Sequence, residues 1–170
     1  VRTATAYCEL LPRPAAPGEP DTLASMPWKI DESHLELAVQ TSHEWALRSP
    51  LVAAPWLGQG VWIKDEGTQI TGSFKVRGAA TKLRALAAEH GAHLREKGIV
   101  VASAGNRGLG VAHAAREMGV PVRVFVPSSA SEGKTAGMRA LGAELVVREE
   151  PGYDEVEAVA PQAAEDAGAF

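Results

Sequence analysis

Two segments of this chain carry residue types able to do covalent chemistry on a small molecule. The first is Thr71-Gly72-Ser73-Phe74-Lys75-Val76-Arg77-Gly78-Ala79. It sets one lysine beside an aromatic ring, at a glycine-flanked entry to a helix. Thirty-one residues after that lysine comes the asparagine of Ser103-Ala104-Gly105-Asn106-Arg107-Gly108-Leu109-Gly110. A lysine amine at a helix start can form an imine with an aldehyde. A glycine-rich strand-to-helix turn can hold an anion. Together they point to an aldehyde cofactor and a carboxylate substrate.

Each segment has a plainer reading. A lone lysine is ordinarily a solvated surface charge. Against that, Phe74 offers an apolar wall, and Gly72 and Gly78 allow close backbone approach to a ligand. A helix N-terminus and partial burial would both favour the neutral amine. Ser73 is ambiguous, because an N-cap role explains it as well as a catalytic one. For the second segment, the alternative is a tight crossover with Asn106 in an unusual backbone region. Three glycines in six residues favour binding. A dinucleotide site is disfavoured: the spacing is G-x-x-G-x-G, and the next strand ends in Pro127-Ser128-Ser129 without a carboxylate for a ribose.

The elements that must position these residues follow from periodicity. Val76, Ala79, Ala80, Leu83, Leu86 and Ala87 form an apolar stripe on a helix. A short helix is predicted at Glu32–Gln40, an extended segment at residues 48–52 and a short strand at 61–64. Strands follow at Gly98–Ala102, Val122–Val126 and Glu144–Val147. Helices alternate with them: Leu109–Met118, stopped by Gly119; one from a Ser129-x-x-Glu132 capping box to Gly142; and Asp154–Asp166, which Pro161 is expected to kink or divide. Buried-type strands joined by helices of this length form parallel βαβ units, so the fold class is α/β.

The chain has 170 residues, 45% hydrophobic and 22% charged, with a net charge of −4. That is enough chain for a real core. The acidic balance argues against nucleic acid, which needs a basic stripe. No run of 18 apolar residues exists, which argues against a membrane span. A single cysteine, Cys8, cannot make an internal disulfide and fits a reducing cytoplasm. Residues 1–30, with Pro12, Pro14, Pro17, Pro20 and Pro27, read as a tail or wrapping arm. The five histidines show no metal spacing; His90 and His93 read as solvated residues of a polar linker. Asp65 and Glu66 read as structural. Trp28, Trp45, Trp56 and Trp62 read as core or interface. A start at Val1 and a stop where a helix hands over to a strand suggest a fragment, with a processed small protein as the alternative.

Both segments, in this order, resemble the serine/threonine dehydratase group of fold-type II pyridoxal-phosphate enzymes. Arg48-Ser49-Pro50-Leu51, Ile63-Lys64-Asp65-Glu66, Glu132-Gly133-Lys134 and Leu141-Gly142-Ala143-Glu144 are similar to the family in register, over about residues 45–150. The resemblance implies a three-layer αβα architecture. Residues 31–78 would be the N-terminal part of a large cofactor domain, 79–150 a small βαβ domain, and 151–170 the start of a return to the large domain. Lys75 would carry pyridoxal phosphate as a Schiff base, Phe74 would pack beside its ring, and Asn106 would hydrogen-bond the ring's 3-oxygen. Ser103, Ala104, Gly105, Asn106 and Arg107 would bind the substrate carboxylate. The implied reaction is elimination of water from threonine or serine to a keto acid and ammonia, in a homo-oligomer when full length. Replacement enzymes and racemases share the fold. A non-catalytic module and an NAD-binding oxidoreductase remain alternatives from other classes. The chain departs from the family at Arg107, where histidine or a small residue is usual, and lacks the family's later phosphate-binding glycine loop.

Overall fold

A computed structural model describes residues 32–149 and 152–170; the proline-rich tail and Trp28 lie outside them. The chain divides into units of residues 1–35 and 36–170, and both sheets belong to the second. Helix α1 spans Glu32–Trp45, longer than predicted. Strands β1 (Leu51–Ala53) and β2 (Trp62–Lys64) pair antiparallel, with Leu51 opposite Lys64. Helix α2 (Lys75–Lys97) leads to β3 (Ile99–Ala102), then α3 (Asn106–Met118), β4 (Val122–Pro127), α4 (Glu132–Ala140), β5 (Glu144–Arg148) and α5 (Tyr153–Ala167).

Strands β3, β4 and β5 form a parallel sheet in that order, with Ile99 opposite Val122 and Val124 opposite Leu145. Side-chain alternation assigns the two faces. Ile99, Val101, Val122, Val124 and Val126 join Ala80, Leu83, Ala112 and Met138 in the larger core, against α2, α3 and α4. Ala102 and Phe125 face the other way and pack on Val156 and Ala160 of α5. The result is the expected three-layer α/β fold. Helix α5 crosses to the second face and returns the chain beside β3. There the Val100 amide donates to the Phe170 carbonyl (2.6 Å), and the Phe170 amide donates to Gly98 (3.1 Å).

Three local expectations are corrected. Pro161 lies inside an unbroken α5. It lacks an amide donor and its ring crowds the carbonyl four residues before it, but Val156 and Ala160 anchor the helix on the sheet. The capping box does not form: the N-cap of α4 is Ser131, without a side-chain cap bond, because a turn closed from Ala130 to Pro127 holds Ser129 upstream of the helix. His90 and His93 are not linker residues. Both lie in α2, which is kinked at His90, and both rings contact Phe170, at 4.8 and 5.4 Å between centroids. His93 Nε2 also lies 2.8 Å from the Gly168 carbonyl. Trp45 packs on the core, but Trp56 and Trp62 are exposed, because the two-stranded sheet has no covering layer among the described residues.

Two contacts fix the start of α2. The first is a charge clamp. Arg77 donates to both carboxylate oxygens of Glu66, from Nε (3.1 Å) and Nη2 (2.9 Å), and to the Leu47 carbonyl (3.0 Å). Glu66 also accepts from the Ser49 hydroxyl, and Lys64 Nζ donates to the Ser49 carbonyl (2.5 Å). The Gln69 amide closes on both backbone groups of Leu47. Asp65 caps the following turn by accepting from the Gly67 amide (3.0 Å). The paired carboxylates are thus structural.

The second contact is steric. A Cβ on Gly110 would lie 3.0 Å from the Lys75 carbonyl carbon and 3.1 Å from the Val76 nitrogen. Helix α3 therefore meets the first turn of α2 backbone to backbone. Gly110→Ala should destabilise the protein by about 1 kcal/mol in urea unfolding, because overpacking against backbone exceeds the helix-propensity gain. Gly78→Ala, where a Cβ meets nothing within 4 Å, should instead stabilise by about 0.5–1 kcal/mol. Equal effects at the two sites would refute the steric reading.

The clamp makes a second prediction. Arg77 above all holds the Glu66 carboxyl below the usual carboxylate range; burial opposes it, and the Ser49 hydroxyl and the charges of Arg77 and Lys64 add to it. A depressed folded pKa contributes stability that is complete above the unfolded value and lost as pH falls through the folded one. The urea midpoint should therefore drop as pH falls below about 4.3. Glu66→Gln should be less stable at neutral pH and show a shallower acid decline. An unchanged slope would rule out this clamp as a source of acid sensitivity.

Candidate active site

Lys75 is the first residue of α2, and its Nζ lies 4.9 Å from the centroid of the Phe74 ring. The amine is exposed rather than partly buried, because α3 covers this turn through the backbone and leaves the side chain in an open groove. Phe74, itself 42% exposed, occupies the N-cap position. Ser73 lies one residue earlier, so the capping explanation for it fails. Its hydroxyl is buried without a hydrogen-bond partner, as is that of Thr71. Gly72 has φ +70°, which explains one glycine of this segment by conformation.

The second segment begins where β3 ends. Ser103 is buried, and its Oγ accepts from the amides of Gly108 (2.8 Å) and Gly105 (3.3 Å). Its amide donates to Phe125 on β4 (3.0 Å). This ties the turn into a compact loop and starts α3 at Asn106, in ordinary helical geometry; no non-glycine residue among those described has positive φ. The first-turn amides at Asn106 and Arg107 have no partner within the helix by its geometry. The glycine excess divides by cause. Gly110 admits α2, and a Cβ on Gly108 would fall 2.7 Å from Met138 Cε. Only Gly105, where a Cβ meets nothing within 4 Å, is free of a packing reason.

Asn106 is half-buried, and its Oδ1 accepts from Lys134 Nζ at 2.5 Å. Arg107 is exposed, with Nη1 3.6 Å from Glu157 Oε1. Lys75, Lys82 and Arg107 line one groove of about 380 Å³ that runs beside β3 to Phe170. The first turns of α2 and α3 therefore adjoin. A larger groove, of about 670 Å³, lies over the Glu66–Arg77 clamp and contains none of these residues.

Sequence reasoning missed two further groups. Lys134 sits in the first turn of α4, and the sequence marks it only as part of the Glu132-Gly133-Lys134 segment similar to the family. The Tyr153 hydroxyl lies 3.2 Å from the Ala102 carbonyl and 3.1 Å from Glu157 Oε1. Burial first, then the Glu157 carboxylate, pushes that hydroxyl above its usual range. No periodic signal marks a tyrosine at a helix start as reaching back to a strand five elements away.

The location has a topological reason. Beside β3 lie β4 on one side and Phe170 on the other, and the connections to them run over opposite faces of the sheet. In open α/β sheets, ligands bind outside the carboxyl end of such a strand. Ser103 and the first turn of α3 occupy that position.

Comparison with known proteins accords with this arrangement. Residues 44–170 match the family model described as "Pyridoxal-phosphate dependent enzyme". The catabolic L-threonine dehydratase of Staphylococcus aureus strain USA300 is 37% identical over a 106-residue alignment that covers 59% of this chain and 30% of the relative. Among solved structures, the processed threonine deaminase isoform 2 of Solanum lycopersicum superposes with a TM-score of 0.70 at 31% identity, covering 85% of this chain and 41% of that one. Maize serine racemase superposes at 0.73 with 26% identity, covering 84% and 43%. The chain spans 30% of the length of this dehydratase. With its paired lysine and asparagine motifs set at the ends of a three-strand parallel sheet, this chain belongs to the fold-type II pyridoxal-phosphate dependent enzymes.

Proposed function

We propose that the whole protein is a pyridoxal-phosphate-dependent ammonia-lyase that removes water from L-threonine, L-serine or a related hydroxy amino acid. The observation that carries this reading is the contact of the Lys75 backbone with Gly110, one turn after Asn106, in a chain similar to a threonine dehydratase. The residues present fit the cofactor. The unpartnered hydroxyls of Ser73 and Thr71 flank the lysine, and the Phe74 ring lies beside its Nζ. Lys75 would hold the cofactor through its ε-nitrogen, Phe74 would lie against the ring, and Asn106 would meet the 3-oxygen.

When bound, pyridoxal phosphate supplies an electron sink for the pair left as the Cα proton departs. The chain's own residues do the rest. Lys75 Nζ takes the Cα proton. The turn from Ser103 to Arg107 orients the substrate carboxylate toward the first-turn amides of α3. The net reaction is loss of the Cα proton and the β-hydroxyl as water, then hydrolysis to a 2-keto acid and ammonia. A small amino acid is the substrate, and a homo-oligomer in a reducing cytoplasm is the expected form of the whole protein. Racemisation is the second reading, supported by the likeness to maize serine racemase.

Full-length protein given pyridoxal phosphate should develop an absorbance band near the visible edge, and Lys75→Ala should abolish it. Serine or threonine should then yield keto acid and ammonia, with activity reduced by at least about 10²-fold in the variant. A band that survives the substitution would sink the assignment of Lys75. D-amino acid without keto acid would favour the racemase.

A further inference from the structure

We propose that Lys134 is a positioning residue that fixes which end of the Asn106 amide faces the cofactor ring. This rests on the cofactor reading above. The two ends of an asparagine amide are nearly identical in shape, so the partner's chemistry decides the orientation. A lysine ammonium has three donors and no acceptor. The Asn106 atom 2.5 Å from Lys134 Nζ is therefore the carbonyl oxygen, and the NH₂ group is turned away from it. The opposite orientation sets two donors against each other. Lys134 thus turns a side chain with two available faces into a dedicated donor. A dedicated donor at Asn106 matches an acceptor on the ligand, which the 3-oxygen of the pyridine ring provides.

The surrounding structure keeps Lys134 in place. It lies in the first turn of α4, where its amide donates to the Ser131 carbonyl (3.0 Å). Helix α4 in turn is seated against α3 where Met138 packs over Gly108, leaving no room for a Cβ. The lysine therefore reaches Asn106 from a helix whose approach is already set, and half-burial of both side chains shields the contact from water.

The test compares two aldehydes on the full-length protein: pyridoxal phosphate and 3-deoxypyridoxal phosphate, which lacks the ring oxygen. Binding is followed by spectroscopic titration and folding by circular dichroism. Lys134→Met should weaken pyridoxal phosphate about tenfold and 3-deoxypyridoxal phosphate less than about twofold. Asn106→Ala should give the same pattern, and the double variant should lose no more than Asn106→Ala alone. Lys134→Arg, which keeps donors and offers no acceptor, should restore most of the affinity. Lys134→Ala replaces the Met variant if that one does not fold. Equal losses for both aldehydes would show a general anion or structural role and overturn the proposal, as would no loss for either. If the unaltered protein binds neither aldehyde, the cofactor reading fails, and this inference fails with it.

Discussion

The constraint on which the site rests is the contact of α3 at Gly110 with the backbone of Lys75. Everything at the site depends on it. A side chain at position 110 would push the two helix starts apart by a few tenths of an ångström, and enzymatic geometry tolerates little more. Asn106 sits one turn before Gly110, so the same contact that locates the lysine also locates the asparagine. The two motifs lie far apart in sequence but are bound by one steric condition.

Around that contact the charges are sorted by task. Arg77, two residues from Lys75, is held by Glu66 and the Leu47 carbonyl and so is removed from chemistry. Arg107 faces Glu157, and Lys134 faces an amide oxygen. The contact recorded at Lys75 Nζ is with an aromatic ring. A ring face attracts a cation only modestly and accepts no hydrogen bond. The lysine's nitrogen is thus the least committed of these cations, which suits an amine that must react rather than hold structure. The neighbouring cations still set a positive potential over the groove, favourable to a substrate carboxylate.

The fold was largely legible because hydrophobic period reports burial directly. Ile99-Val100-Val101-Ala102 is apolar on both sides and sits between two helical layers. The stripe from Val76 to Ala87 faces the core as its spacing requires. What stayed hidden depends on contacts between elements. His90 and His93 are polar by composition, yet they pack on Phe170 from nearly 80 residues away. Trp56 and Trp62 are apolar, yet both are exposed, one in the turn between β1 and β2 and one on β2. The Glu66–Arg77 pair could be read only as structural, without its partner. The glycines of the second motif misled in an instructive way: glycine count signals close approach, but sequence does not say whether a ligand or a helix does the approaching.

Separating those two causes sharpens the site rather than dissolving it. Once Gly108 and Gly110 are assigned to Met138 and Lys75, the polar elements that remain are few. They are the buried Ser103 hydroxyl, the free amides at the start of α3 and the Asn106 side chain. Ser103 holds the loop from within by accepting two amides, so its proton is the one part of that hydroxyl left to donate. Free amides, the hydroxyl proton and the asparagine NH₂ are all donors. A site built only of donors at a helix N-terminus selects for oxygen-rich, anionic partners. An amino-acid carboxylate and a ring oxygen both meet that requirement, whereas the ribose of a dinucleotide asks for a carboxylate at the end of the next strand, where Pro127-Ser128-Ser129 stands instead.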